Sequence, residues 1–316
     1  MNYKLLGRTG VRVSELCLGC MTLGDEADEP TSIRMIERAL DAGINFFDTA
    51  NVYASGRSEE IVGKALKSRR NSVVIATKAR GRVGDGPNDE GLSRYHLMQQ
   101  LEISLRKLQT DRIDLYQVHR WDDSLPIEET LRALDDMVRQ GKVLYIGCSN
   151  FAAWQLAKSL WKSDKLGLAR FESLQPRYNL IDRAIETELL PLCLDQQIGV
   201  MVYSPLAGGI LTGKYRQGEP FPPGTRGAES ELFRRIRALP HNLERGQKLA
   251  GMLQELPRPP VQSAIAWTLG HPAITSAIIG ARNPEQLEWI LNDWPGPLPP
   301  EEQKRLNEAS QPPPIN

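Results

Sequence analysis

Residues 44–78, INFFDTANVYASGRSEEIVGKALKSRRNSVVIATK, contain a strand pattern, a helix pattern and a second strand pattern in succession. The short apolar runs 44–47 and 72–76 predict strands, and the amphipathic run 58–66 predicts a helix. Strands that alternate with helices along a chain indicate a parallel sheet. This stretch therefore predicts one strand–helix–strand unit of an α/β fold.

The same alternation continues on both sides of this unit. Further strands are predicted at residues 16–18, 113–118, 143–146, 171–174, 199–202 and 274–279. Further helices are predicted at residues 30–41, 95–108, 127–140, 152–161, 185–196, 242–256, 261–269 and 284–291. Eight strand–helix units in a chain of this length predict a closed (β/α)8 TIM barrel.

The predicted barrel carries additions at its beginning and near its end. Residues 4–6 and 11–13 flank two glycines and predict an N-terminal β-hairpin, and the surplus helix patterns predict extra helices. Residues 204–226 are rich in glycine and proline and predict a long loop that folds over a ligand as a clasp. We expect one domain over residues 1–316, with a loosely packed proline-rich tail from about residue 295.

Composition makes several classes of protein improbable. Lys+Arg and Asp+Glu balance at 39 each, so we expect neither nucleic acid nor a membrane surface as a partner. No apolar run approaches the ~20 residues of a transmembrane helix, and the first residues lack a signal-peptide pattern. The four cysteines therefore predict a reduced, cytoplasmic protein. Cys17 and Cys20 form a C-x-x-C inside a strand-like run, which favours a structural role over redox chemistry or metal binding.

Four polar side chains follow consecutive predicted strands. Asp48 ends the strand at 44–47 with Tyr53 one short loop later, Lys78 ends the next strand, and His119 ends the strand after that. Each has an ordinary structural alternative: a helix cap, rim packing, a solvated lysine and a satisfied histidine. Catalytic residues of TIM barrels lie at the C-terminal ends of the strands, so the coincidence of all four predicts an active site there.

The chemistry of these groups suits a proton transfer. Free tyrosine has a pKa of about 10, and a nearby ammonium lowers it, so Lys78 is expected to make Tyr53 a better acid. Asp48 balances and holds Lys78, and His119 donates a hydrogen bond that orients a carbonyl oxygen. Four scattered histidines without ligand spacing indicate no metal site.

The chain resembles the aldo-keto reductase superfamily, and most closely its aryl-alcohol dehydrogenase-like branch. The resemblance rests on GINFFDTANVY, VVIATK, RIDLYQVHRWD, GKVLYIGCSNF, LQPRYNL, YSPLAGGILTGKY and IIGARNPEQL. It implies that Asp48, Tyr53, Lys78 and His119 are the catalytic tetrad, with Tyr53 as the proton donor. It also implies a nicotinamide cofactor bound on the barrel rim, which agrees with the absence of a G-x-G-x-x-G fingerprint.

The resemblance assigns further residues to the cofactor. Ser149, Asn150 and Gln175 are expected to bind the nicotinamide carboxamide, and Tyr203 to stack on its ring. The pyrophosphate is expected against Ser204, Pro205, Leu206 and Gly208, with Lys214 nearby. Met21, beside Cys20, and Asp48 are also expected to line the cofactor site. At the adenosine end we expect Gly280, Arg282 and Gln286. Arg282 favours NADPH through a 2′-phosphate contact, although NADH remains possible.

The predicted activity is NADPH-dependent reduction of small aldehydes and ketones to alcohols, and the substrate would contact Tyr53, His119 and Trp121. Arg82 and Met21 are further candidates for the pocket wall, as are Phe221 and Trp294 if their segments fold back. Trp121 has core packing as an equal alternative. Two other functions stay open: a cofactor-binding, redox-sensing channel subunit with little turnover, and a phosphate-binding barrel isomerase or lyase. The oligomeric state and the natural substrate are not predicted.

Overall fold

The computed structural model describes residues 1–311, and its centre is a closed barrel of eight parallel strands. A two-stranded antiparallel hairpin precedes the barrel and consists of β1 (Tyr3–Leu5) and β2 (Arg12–Ser14). The barrel strands are β3 (Leu16–Gly19), β4 (Phe46–Asp48), β5 (Val74–Ala79), β6 (Ile113–Val118), β7 (Val143–Ser149), β8 (Phe171–Gln175), β9 (Gly199–Val202) and β10 (Ile274–Ile279). Each strand pairs with the next, and β10 closes the barrel on β3. The predicted (β/α)8 fold and its hairpin are confirmed.

Helices connect the strands and cover the outside of the barrel. They are α1 (Glu29–Asp41), α2 (Arg57–Leu66), α3 (Arg94–Lys107), α4 (Ile127–Arg139), α5 (Ala153–Leu166), α6 (Leu189–Asp195), α7 (Arg226–Glu229), α8 (Glu231–Ile236), α9 (Pro240–Gln254), α10 (Pro260–Leu269), α11 (Pro284–Leu291) and α12 (Pro300–Ala309). Local capping explains several of the helix starts: Asp28 accepts a hydrogen bond from the Thr31 amide ahead of α1, and Ser93 accepts one from the His96 amide ahead of α3. Within residues 1–311, no helix is both long and apolar enough to cross a bilayer.

The barrel interior is apolar near its N-terminal end and polar at its C-terminal rim. Leu6 and Val13 of the hairpin region pack with inward-facing side chains of the strands, which include Cys17, Phe46, Ala76, Leu115, Met201 and Ile278. Side chains two positions apart along a strand point to the same face. The next inward positions towards the C-terminal ends are polar in five consecutive strands: Asp48, Lys78, Gln117, Ser149 and Gln175. The fold therefore places a layer of polar groups directly under the rim.

As predicted, residues 204–225 form a long segment with neither a strand nor an α-helix. A 3₁₀ turn covers Ala207–Thr212, and α7 and α8 follow. Tyr215 is buried and packs edge-on against Phe221, while the ring centroid of Phe233 lies 5.7 Å away. This aromatic cluster gives the segment a small core of its own. The helices are too short to show a helical period, which is why the sequence did not reveal them.

The expectation of a loosely packed tail is wrong for residues 300–309. They form α12, in which Leu306 is fully buried and Asn307 accepts a hydrogen bond from Trp267 Nε1 at 2.8 Å. Gln303 Nε2 also donates to the carbonyl oxygen of Trp267. These contacts join α12 to α10 across long sequence separations that a local pattern cannot show. Residues 312–316, the remainder of the proline-rich tail, lie outside the described residues.

Candidate active site

A buried lysine–carboxylate pair lies directly beneath the rim of the barrel. Lys78 Nζ donates hydrogen bonds to Asp48 Oδ2 at 2.5 Å and to the Thr49 carbonyl oxygen at 2.9 Å. It also donates to the Tyr53 hydroxyl oxygen at 3.3 Å. Because Lys78 fills an acceptor position on the Tyr53 oxygen, the phenolic proton is free to point into the open side of the rim. The side chain of Lys78 is fully buried, so it is not the solvated lysine that was one alternative.

Strand ends differ from the predicted ones in a way that explains this burial. Lys78 lies inside β5, which continues to Ala79, instead of following the end of a strand at residue 76. Asp48 is the last residue of β4, and the neighbouring helix α2 begins at Arg57 after Gly56. Asp48 is therefore a partner of Lys78 and not the cap of a helix.

Two glutamines hold the second oxygen of Asp48. Gln175 Nε2 donates to Asp48 Oδ1 at 2.8 Å, and Gln117 Nε2 donates to the same atom at 3.2 Å. Gln117 was not among the site residues predicted from the sequence. Its spacing from His119 could have indicated it, because side chains two positions apart along a strand point to the same face. The two amides and the ammonium together satisfy the buried carboxylate.

The loop after β4 places Tyr53 over Lys78. The Tyr53 amide donates to the Ala50 carbonyl oxygen at 3.1 Å, and the next two residues adopt left-handed backbone angles, with φ of 46° at Ala54 and 55° at Ser55. Lys107 Nζ donates to the Ser55 carbonyl oxygen from α3. Left-handed angles at residues with side chains carry strain, and such strain is concentrated at functional sites.

His119 stands beside Tyr53 and is held neutral. The two ring centroids are 5.8 Å apart at an interplanar angle of 79°. Burial lowers the pKa of His119 to about 3, and the positive charges of Lys78, Arg120 and Arg80 act in the same direction. A neutral imidazole keeps one ring N–H, and that N–H can donate to an oxygen bound next to the phenol.

The pKa of Tyr53 moves opposite to the sequence-based expectation. Burial raises the pKa of the phenol above its ordinary value, and this outweighs the lowering effect of Lys78. For Lys78 itself, burial lowers the pKa, but the charge of Asp48 and the interaction with Tyr53 raise it above the ordinary value. Tyr53 is therefore protonated and Lys78 charged at neutral pH, the state in which a phenol can donate a proton and an ammonium can stabilise the resulting phenolate.

The residues expected around the nicotinamide form one hydrogen-bonded group. Asn150 Nδ2 donates to Ser149 Oγ at 3.0 Å and to the His119 carbonyl oxygen at 3.1 Å. The Tyr203 hydroxyl donates to Asn150 Oδ1 at 2.8 Å, and Ser149 Oγ donates to the Gln175 carbonyl oxygen. Asn150 has a φ of 57°, an uncommon left-handed angle for a residue with a side chain. The structure brings these four residues together beside His119.

The residues expected around the pyrophosphate follow β9 in a tight turn. Ser204 and Gly208 have φ values of 57° and 68°, and Pro205 is buried while Leu206 is partly exposed. A Cβ atom at Gly208 would lie 2.5 Å from the Phe233 ring, so only glycine fits. Lys214 is exposed, with Nζ 5.2 Å from the centroid of the Tyr215 ring. Met21, which is also expected to line the cofactor site, follows β3 and is 46% exposed.

The residues expected at the adenosine end follow β10. Gly280 is exposed, and no atom lies within 4 Å of the position of an added Cβ. Gln286 accepts a hydrogen bond from the Arg282 amide at 3.0 Å, and Asn283 caps α11 by accepting one from the Gln286 amide. The Arg282 side chain makes ion pairs with Glu26 and Glu229. Arg282 is therefore paired with two carboxylates and is not a freely solvated side chain.

Trp121 belongs to an aromatic cluster next to the site. Its ring packs edge-on against Phe151 and Trp154, with distances between ring centroids of 5.2 Å and 5.5 Å. Trp121 Nε1 donates a hydrogen bond to Asp123. Trp121 thus packs on a core residue and remains partly exposed, and its contact with the substrate stays a prediction.

The remaining candidates for the pocket wall have separate environments. Arg82 is exposed and pairs with Glu90. Phe221 packs on Tyr215. Trp294 donates to Glu15, which precedes β3 and lies at the N-terminal end of the barrel. The suggestion that Trp294 folds back over the active rim is therefore wrong.

The C-x-x-C cysteines contribute packing. Cys17 and Cys20 are buried free thiols, and burial followed by the negative charge of Asp48 raises the pKa of both above the ordinary value. A thiol with a raised pKa is a poor nucleophile and a poor metal ligand. In the described part of the chain, no three histidine, cysteine, aspartate or glutamate side chains converge on a point that would suit a metal ion.

The chain belongs to the Aldo/keto reductase family, whose sequence pattern it matches over residues 15–311. This confirms the resemblance drawn from the motifs, and the parallel barrel agrees with it. Members of this family reduce small-molecule carbonyl compounds and generally use NAD(P)H. The chain is thus an oxidoreductase enzyme of the aldo-keto reductase type.

Several named proteins are similar to it over nearly their whole length. An uncharacterized oxidoreductase, YrpG, of Bacillus subtilis (strain 168) is 43% identical, with 91% of this chain and 89% of the relative covered. A probable voltage-gated potassium channel subunit beta of Arabidopsis thaliana is 39% identical, with the same coverage of 91% and 89%. Aldo-keto reductase YhdN of Bacillus subtilis (strain 168) is 34% identical, with 97% and 93% covered. The relatives therefore include both reductases and a protein named for a channel.

Proposed function

We propose that this enzyme reduces aldehydes and ketones to alcohols with NADPH, and that Tyr53 donates the proton. One observation carries the proposal: Lys78 Nζ is buried beneath the rim and contacts both Asp48 and the Tyr53 oxygen. A phenol is a competent acid only if the negative charge that it gains is stabilised, and Lys78 is placed to do this.

The residues of the rim fit a dinucleotide. Asn150, Ser149 and Tyr203 form a hydrogen-bonded group next to His119, which suits a carboxamide and an aromatic ring. Beyond the turn at Ser204, space is open above Gly280, and Arg282 provides a guanidinium. The residues that would hold the cofactor are Met21, Asp48, Ser149, Asn150, Gln175, Tyr203, Ser204, Pro205, Leu206, Gly208, Lys214, Gly280, Arg282 and Gln286. When bound, the nicotinamide supplies a hydride to the carbonyl carbon of the substrate.

The chain itself supplies the proton and the charge balance. The substrate oxygen accepts hydrogen bonds from the Tyr53 hydroxyl and from a ring N–H of neutral His119. As that oxygen gains negative charge, Tyr53 transfers its proton to it and becomes a phenolate. Lys78 stabilises the phenolate, and Asp48 keeps the lysine oriented and charged. The product is an alcohol, and the phenol regains its proton from water.

The preference for NADPH and the cellular location are finer parts of the proposal. A guanidinium such as that of Arg282 can donate two parallel hydrogen bonds to a 2′-phosphate, although its present partners are carboxylates. The four buried free cysteines fit a reducing compartment such as the cytoplasm. Trp121 and its aromatic neighbours favour an aryl or otherwise apolar carbonyl compound. We propose that residues 1–316 act as one domain.

A binding and turnover experiment tests the proposal. The purified protein is titrated with NADPH and with NADH by tryptophan fluorescence, and 4-nitrobenzaldehyde is then added while NADPH absorbance is followed. We expect saturable binding of NADPH followed by oxidation that depends on the aldehyde. Absence of binding to either cofactor would overturn the assignment.

The alternative function is favoured by one observation, the similarity to a protein named as a channel β subunit. A regulatory subunit of that kind would bind NADPH tightly but oxidise it slowly with every aldehyde tested. The intact group of Asp48, Tyr53, Lys78 and His119 favours the enzyme. Tight binding without turnover across a panel of aromatic and aliphatic aldehydes would reverse this ranking.

A further inference from the structure

Arg282 is already neutralised in the free protein. Its Nη1 donates to Glu229 Oε2 at 2.8 Å and to the Gly224 carbonyl oxygen at 3.2 Å. Its Nε contacts Glu26 Oε2 at the other edge of the guanidinium. The side chain of Arg282 is 21% exposed, so this group is partly shielded from bulk water. Two carboxylates therefore contact the guanidinium of Arg282, where a phosphate is expected to bind.

The two carboxylates come from different parts of the rim. Glu26 lies in the loop between β3 and α1, and Glu229 ends α7 in the segment that follows β9. Arg226 at the start of α7 also approaches Glu26, at 3.7 Å. Arg282 therefore joins three loops, and the charges of the two arginines and two glutamates cancel. No net positive charge is left in this group to attract an anion.

We propose, on the basis of the function proposed above, that Glu229 and Glu26 limit the preference of this enzyme for NADPH by competing with the 2′-phosphate for Arg282. An arginine stays charged at all relevant pH values, and a phosphate carries about two negative charges, so the three anions repel one another around one cation. NADH has no phosphate at this position and leaves the ion pairs intact. The carboxylates thus weaken NADPH binding and do not affect NADH binding.

Exposure indicates which carboxylate gives way. The Glu229 side chain is 53% exposed and can turn into water at little cost, whereas that of Glu26 is 30% exposed and has Arg226 as a second partner. Glu229 is therefore the partner that the phosphate displaces. A variant without the negative charge of Glu229 should therefore bind the 2′-phosphate more tightly.

Calorimetric titration with NADP⁺ and NAD⁺, which differ only in the 2′-phosphate, tests this inference without turnover. Glu229→Gln is expected to tighten NADP⁺ binding by about two- to fivefold, the scale of a partly exposed ion pair, and to leave the affinity for NAD⁺ unchanged. Arg282→Gln is expected to weaken NADP⁺ by about tenfold or more, with NAD⁺ unchanged, because it removes a charge-assisted contact. Glu231→Gln is the matched control, since Glu231 lies two residues further on, is exposed and has no ion pair within residues 1–311. It is expected to change neither affinity.

The possible failures are distinct. If neither dinucleotide binds the unaltered protein, the proposed function fails. If both bind but Arg282→Gln changes them equally, Arg282 does not meet the 2′-phosphate and the inference fails with it. If Arg282→Gln behaves as expected but Glu229→Gln leaves the affinity for NADP⁺ unchanged or lowers it, the proposed competition is wrong. If Glu229→Gln lowers the affinity for both dinucleotides, the competition is also wrong, and Glu229 instead holds its loop over the cofactor.

Discussion

At the scale of single residues, the site depends on a lysine that has no contact with solvent. Lys78 is fully buried, and three oxygens surround its ammonium group: Asp48 Oδ2, the Thr49 carbonyl and the Tyr53 hydroxyl. A buried charge without such partners would be deprotonated or would unfold its surroundings. The same arrangement that makes Lys78 tolerable in the core positions it to stabilise a phenolate, so stability and chemistry share these contacts.

Removal of one member of the buried pair should destabilise the protein strongly. Lys78→Met leaves the Asp48 carboxylate buried without its cation, and we expect a loss of about 3–5 kcal/mol in the free energy of unfolding. Adding Asp48→Asn removes the stranded charge, so the double variant should lose at least about 1 kcal/mol less than the sum of the single variants. Urea unfolding of the four proteins measures this. Additive losses would show that the two groups do not stabilise each other.

The protonation states of His119 and Tyr53 predict a flat pH profile near neutrality. The pKa of His119 is about 3 and that of Tyr53 is raised above its ordinary value, so neither group changes charge between about pH 5 and pH 8. In the proposed mechanism the reduction needs protonated Tyr53, so the single-turnover rate should fall only as the pH rises above the ordinary tyrosine range. The measurement is that rate as a function of pH. A step near pH 6.5 that disappears in His119→Gln would contradict a neutral, buried histidine.

At the scale of elements, the hairpin closes the end of the barrel opposite the active rim. Leu6 and Val13 enter the interior, and the backbone between the two strands passes very close to the barrel at Gly7. A Cβ atom there would lie 2.7–2.9 Å from the backbone atoms Gln197 O, Gly199 N and Glu172 O, and φ is +55°. The hairpin thus needs glycine at this position for both contact and conformation.

Two glycines of the hairpin turn provide a matched test of this closure. Gly7→Ala should lower the free energy of unfolding by at least about 2 kcal/mol, because strain of about 1–2 kcal/mol from the left-handed angle adds to the backbone clash. Gly10→Ala is the control, since Gly10 also has a positive φ, +78°, but has no atom within 4 Å of the added Cβ. It should cost only the strain, about 1 kcal/mol. Equal thermal unfolding of the two variants would show that the hairpin does not pack tightly on the barrel.

At the scale of the whole molecule, local sequence patterns predicted the strands and helices but not the contacts between segments that are distant in sequence. The eight strands, the hairpin and the main helices follow from apolar periodicity. The polar groups Asp48, Lys78 and His119 could be placed on one rim because strand ends of a parallel barrel converge. The fold and the core of the site were therefore available from the sequence.

Other features depend on contacts between remote residues. The partners of Arg282 come from positions 26 and 229, and Trp294 contacts Glu15 at the opposite end of the barrel. The helix α12 is stabilised by contacts with α10 that its proline-rich flanks do not suggest. The sign of the Tyr53 pKa shift also depended on burial, since the sequence revealed the neighbouring lysine but not the extent of desolvation.

The proposed mechanism of the whole molecule requires the rim to deliver a proton from Tyr53, and one substitution tests this requirement most directly. Single-turnover oxidation of NADPH by 4-nitrobenzaldehyde is compared for the unaltered protein, for Tyr53→Phe and for Tyr95→Phe. Tyr95 is the control because it is 62% exposed on α3 and has no contact with the tetrad. NADPH affinity is measured for all three by tryptophan fluorescence.

Tyr53→Phe is expected to slow the single turnover by at least ~10²-fold, the usual contribution of a general acid, and to leave the NADPH affinity within about twofold. Tyr95→Phe should match the unaltered protein in both measurements. If Tyr53→Phe retains the rate of the unaltered protein, Tyr53 is not the proton donor and the proposed mechanism is wrong.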